Sequence, residues 1–157
     1  QTVMGDEMRK VIFLAEIYLL LFFTFVSNAN SSDWKLIEKA DNEFHWVDFE
    51  SIKVEGVFVN YWAKTVNDYG EERRIKHSIN CREETFALRD YVTYRRYGTV
   101  LNSLTVPEKD IKWRAIPPDS IINSFKNILC SNGKPSTEAD INLKYERLKP
   151  IIEKYVK

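Results

Sequence analysis

Two cysteines constrain this chain more than any other residues. Cys81 closes a segment, 73–81, in which Ile75, His77, Ile79 and Cys81 alternate with Arg74, Lys76, Ser78 and Asn80. Period two is the mark of a half-buried strand, so Cys81 is expected to point into the core with the isoleucines. Cys130 closes a different pattern. Ile121, Ile122, Phe125, Ile128 and Leu129 form an apolar helical stripe that ends at it. A bridge between these two cysteines would fasten the end of a helix to the end of a strand. The alternative is two buried free thiols, and the compartment decides between them.

Residues 8–29 have the three parts of a secretory signal peptide. Arg9 and Lys10 follow Met8 as a short positive region. An apolar run comes next, centred on Leu19-Leu20-Leu21-Phe22-Phe23, and Ser27-Asn28-Ala29 supplies small residues at the cut. A retained membrane span would need about 20 apolar residues. This run is shorter and is interrupted by Glu16, so cleavage after Ala29 is expected, with no stable span afterwards. Residues 1–7 fit no part of the scheme and read as an upstream extension or scar. Export places both cysteines in an oxidising compartment, where an even pair reads as one disulfide. No cysteine stands at the cut, so the sequence offers no site for an N-terminal lipid.

Cleavage leaves roughly 130 residues, the size of one domain with a modest core. Basic and acidic residues balance at 23 each, which excludes the global positive field that binds nucleic acid. Aromatic residues make up 13% and glycine is scarce, a composition suited to a sheet. Strands are predicted over 34–39, 44–48, 57–64, 73–81 and 84–97, with short additions at 100–106 and 111–115. Pro117-Pro118-Asp119-Ser120 then stops the ladder and starts a helix, with Asp119 or Ser120 as its cap. Asn132-Gly133 reads as that helix's stop. A second helix is expected from Ser136 or Thr137, carrying Ile141, Tyr145, Leu148, Ile152 and Tyr155 on one face, with Pro150 kinking or dividing it. The fold class is α+β: an antiparallel sheet of about six strands, a helix tethered to it by a disulfide, and an extra amphipathic helix at the end. The domain is placed at 30–133 and the helical extension at 134–157.

The chain lacks the sequence patterns of a hydrolase elbow, a phosphate loop, a zincin helix and a redox C-x-x-C. Its two histidines are expected to differ: His45 half-exposed, His77 a hydrogen-bonded core residue. With Asp48 or Glu50 they form no zinc spacing. No catalytic, cofactor-binding or metal-ligating residue is therefore assigned. Two basic and aromatic stretches remain. One holds Arg73, Arg74 and Lys76; the other holds Tyr94, Arg95, Arg96 and Tyr97. Exposed Arg and Tyr are favoured at interfaces, so these seven are the candidate partner-binding residues.

In order along the chain stand Trp34-Lys35-Leu36-Ile37, Trp46-Val47-Asp48 before Ser51-Ile52, the strand 57–62, Ile79-Asn80-Cys81, the segment 94–98, Ile116-Pro117-Pro118-Asp119-Ser120 and Ile128-Leu129-Cys130. Read together they resemble the bacterial surface-adhesin protein E family. The resemblance implies a Gram-negative envelope protein, an antiparallel sheet and a helix fastened across it by Cys81–Cys130. It further implies a non-enzymatic role, with host matrix or plasma proteins as partners, and a homodimer. The residues alone are equally compatible with a periplasmic accessory domain that binds a small ligand or an envelope protein.

Overall fold

Each turn signal in the first half of the chain closes an antiparallel hairpin. The computed structural model describes residues 31–156, apart from the side chain of Tyr155. The expected signal peptide and upstream extension lie outside the described residues. Strands β1 (Trp34–Ala40), β2 (Glu43–Asp48), β3 (Lys53–Glu55), β4 (Phe58–Asn67), β5 (Glu72–Asn80), β6 (Thr85–Tyr94), β7 (Val100–Thr105) and β8 (Arg114–Ala115) form one sheet. Its order is β1-β2-β4-β5-β6-β7, with β3 beside β4 and β8 beside β6. Six strands thus make the main path, and two short ones extend it.

Helix α1 (Ile121–Leu129) begins at Ser120, whose Oγ accepts from the Asn123 N–H at 3.2 Å. That leaves Ser120, not Asp119, as the cap. Its stripe of Ile122, Phe125, Ile128 and Leu129 is buried on one face of the sheet against Val47, Val59, Tyr61, Ala63 and Ile79. Phe125 meets the Tyr61 ring edge-on at 5.7 Å. Cys81 and Cys130 are bonded, with Cα atoms 5.6 Å apart, and Cys81 lies in this core. The staple therefore joins the end of α1 to the end of β5, as the two periodicities require.

Asn132-Gly133 does not act as a helix stop. Cys130 already leaves the helix, and β9 (Cys130–Ser131) pairs with β10 (Lys134–Pro135). Asn132 (φ 50°) and Gly133 (φ 71°) form the two-residue turn between them. Positive φ at both positions is what such a hairpin needs, and Asn-Gly is the pair that adopts it most readily.

Helix α2 (Glu138–Val156) follows at once. Thr137 and Asp140 cap it reciprocally: the Asp140 N–H donates to Thr137 Oγ1 and the Thr137 N–H to Asp140 Oδ2. Ile141 and Ile152 are buried, and the helix packs on β1. Pro150 does not divide it. The carbonyl left without a donor belongs to Glu146, which like Pro150 is exposed to solvent.

The two helices are also joined by one cation. The Lys144 ammonium on α2 shares its three N–H groups among four acceptors: the carbonyls of Asn127 (2.8 Å), Ile128 (3.2 Å) and Cys130 (2.7 Å), and Ser136 Oγ at 2.9 Å. The last carbonyls of a helix have no partners of their own, and a cation there also meets the negative end of the helix dipole. Burial lowers the Lys144 pKa, yet the ammonium has acceptors in every direction. Lys144→Met is expected to cost about 2 kcal/mol. Urea unfolding monitored by circular dichroism checks this.

Candidate recognition surface

The sheet has two unlike faces. One carries the helices. On the other stand all four tryptophans of the chain, Trp34, Trp46, Trp62 and Trp113. Cross-strand register places them there: Leu36 opposes Trp46, Trp46 opposes Lys64, Lys64 opposes Arg74, and Trp62 opposes Lys76. Residues directly opposite point to one side, so one line of side chains crosses four strands, and the pairing of Arg74 with Val92 carries it to β6 as a fifth. Within it the Lys64 ammonium lies 4.6 Å from the Trp34 ring and 5.1 Å from Trp46. The Arg74 guanidinium is 5.8 Å from Trp34 and 4.8 Å from Tyr94. Cations and rings thus alternate, each cation held over aromatic faces. Burial between the indoles lowers the Lys64 pKa, partly offset by Glu72.

The seven candidate residues are not one patch. Arg73 points to the helix side, where it pairs with Glu43. Arg74 pairs with Glu72 and meets Tyr94 on the open face. Lys76 faces the same way and lies 3.6 Å from Asp90. Arg95, Arg96 and Tyr97 form the tip of the β6–β7 hairpin. There the Arg96 guanidinium lies 5.5 Å from the Tyr97 ring, its aliphatic stem passes over Gly70, and Tyr97 is 92% exposed. The structure therefore unites Arg74 with Tyr94 and Arg96 with Tyr97, and sets Arg73 apart.

Both histidines depart from expectation. His45 is 8% exposed rather than half-exposed, because β2 is an interior strand between β1 and β4. Its Nδ1 lies 3.1 Å from Thr65 Oγ1, and burial lowers its pKa. His77 is in the core as expected, but without the expected hydrogen bond at Nδ1. It sits between the rings of Tyr61 (5.7 Å) and Phe86 (6.1 Å), and burial lowers its pKa to about 4. The Tyr61 hydroxyl beside it is also buried without a partner, which pushes its pKa up.

Periodicity alone could not assemble the open face. Trp46, Trp62 and Lys64 each have the right parity along their strands, but only the register brings them beside Trp34 and Arg74. A bulge in β6 was equally invisible. Lys76 pairs with Asp90 and His77 with Leu88, so Arg89 is the extra residue. Its Nε donates to Ser78 Oγ at 2.8 Å, and Ser78 also bonds Asn60. Ser78, on the polar side of the alternation, is consequently buried, and Asn80 on the same side is buried where its Oδ1 accepts from the Arg82 and Glu83 N–H groups.

Among the described residues no cluster of His, Cys, Asp and Glu has the geometry to hold a metal ion, and no helix is long and apolar enough to cross a membrane. An antiparallel sheet with a disulfide-fastened helix on one face and a cation-laced aromatic surface on the other defines a stapled α+β domain. Residues 34–131 match the surface-adhesin protein E family, and the chain belongs to that family. No curated protein matches the chain. Among solved structures, protein E from non-typeable Haemophilus influenzae is similar at 16% identity, with a TM-score of 0.47, over 82% of this chain and 92% of that one.

Proposed function

We propose that the chain is an exported, non-enzymatic recognition protein of a Gram-negative cell surface. Its signal peptide is cut after Ala29, and the chain binds host matrix or plasma proteins. Membership of the surface-adhesin protein E family is the observation that carries this reading. The β6–β7 hairpin is its contact site: the exposed Tyr97 ring and the Arg96 guanidinium over it offer the aromatic and cationic anchors that interfaces favour. Arg74 and Tyr94, locked together on the open face, extend that site inward. The recognition domain is 30–133, and the helical extension 134–157 braces it from behind. Binding of the exported chain to immobilised matrix and plasma proteins tests the proposal. The double variant Arg96→Ala/Tyr97→Ala should bind about tenfold more weakly, at the scale of a lost hot spot, with an unchanged melting temperature. Equal binding by the variant, or none by the parent, would refute it.

A further inference from the structure

Beyond the ladder of Lys64 and Arg74, the open face holds a basin of 430 Å³ lined by Lys53, Glu55, Asn60, Lys76, Arg89, Asp90 and Glu108. The β6 bulge builds it. As the extra residue of that bulge, Arg89 turns across the face, where it is fixed by Ser78 Oγ at 2.8 Å and Glu108 Oε2 at 2.7 Å. Bulges recur at sites because they re-aim a side chain in this way. Trp62 stands directly opposite Lys76 and next but one to Asn60 along β4, so it borders one side. Trp113 borders the other, 5.9 Å from the Arg89 guanidinium and 5.4 Å from Phe58.

The geometry points to a binding site for a neutral oligosaccharide. A pyranose has an apolar C–H face and a girdle of hydroxyls, each of which donates and accepts. The basin answers both needs. The Trp62 and Trp113 indoles border it, and its lining sets donors (Lys53, Lys76, Arg89) beside acceptors (Glu55, Asp90, Glu108), of which Arg89 is held by Ser78 and Glu108 and Lys76 faces Asp90. Three cations against three carboxylates leave no net field, which disfavours phosphate, sulfate and nucleic acid. This site goes beyond protein docking at the hairpin tip and does not depend on it.

Titrating the disulfide-intact exported chain with N-acetyllactosamine, chitotriose and a heparin hexasaccharide, by calorimetry and tryptophan fluorescence, tests the site. Saturable binding of a neutral sugar with a change in tryptophan emission is expected. N-acetyllactosamine as the better ligand identifies animal glycoproteins as the source, and chitotriose identifies N-acetylglucosamine polymers of cell walls. Trp62→Ala and Asp90→Asn should each weaken binding about tenfold, while Tyr97→Ala leaves it unchanged. Should Trp62→Ala not melt cooperatively, Asp90→Asn carries the test alone. The site is refuted if neither neutral sugar binds at millimolar concentration, if heparin binds more tightly than both, or if the folded variants bind as the parent does.

Discussion

Removing the staple, by Cys81→Ala/Cys130→Ala, is expected to cost about 4 kcal/mol and to lower the melting temperature by about 15 °C. The two cysteines are 49 residues apart. Without the bridge, the unfolded chain regains the closure entropy of that whole loop, which includes β6, β7, β8 and α1. The folded state is exposed to the loss as well. Helix α1 has nine residues, too short to persist without its tertiary contacts. What then holds it down is the packing of Phe125, Ile128 and Leu129 and the Lys144 clasp at its end. Scanning calorimetry of the double variant, or of the parent with and without reductant, measures the effect. A shift of only a degree or two would mean that packing alone fixes the helix and that the bridge is incidental.

Acid should unfold this protein early, by about 3 kcal/mol between pH 7 and pH 4. His77 is the reason. An unfolded histidine titrates near 6.5, whereas burial between Tyr61 and Phe86 holds the folded one at about 4. Below pH 6.5 the unfolded chain therefore binds a proton that the folded chain refuses. Stability is complete above that pH, falls as pH drops, and levels off once both states are protonated below about 4. His45, also lowered by burial, acts in the same direction. His77→Phe keeps an aromatic ring against Tyr61 and Phe86 and removes the titrating nitrogen, so most of the acid loss should disappear. Urea unfolding of parent and variant at pH 7.5 and 4.5 checks this. A parent equally stable at both values, or a variant that loses as much, would contradict it.

The features that could be read from the sequence were those set by local period. Alternation over 73–81 placed Cys81 in the core, and the stripe from Ile121 to Leu129 placed Cys130 at a helix end. Their pairing followed from an even pair of cysteines in a chain read as exported; the two patterns added which elements the bridge would join. Features that depend on neighbours far along the chain could not be read this way. His45 was expected half-exposed because nothing in Phe44-His45-Trp46 says that β2 will be flanked on both sides. Ser78 lies on the polar side of its strand and is buried because Arg89, eleven residues on, bulges over it, while Asn80 on the same side is buried at the turn into β6, where it accepts from the Arg82 and Glu83 N–H groups. Lys144 was one lysine among many on an amphipathic helix; its worth comes from carbonyls 14 to 17 residues earlier. For the proposed recognition surface, the Arg and Tyr runs could be read as candidates, but the tryptophan face beside the hairpin tip could not. That face needs the register of five strands.

Export to the cell surface is the claim on which the functional account rests. Labelling intact cells with an antibody to the folded domain, together with N-terminal sequencing of the labelled chain, tests it most directly. Surface labelling and an N-terminus at Asn30 are predicted. A chain found only in periplasmic extract and unlabelled on intact cells would contradict adhesion and leave an accessory role inside the envelope.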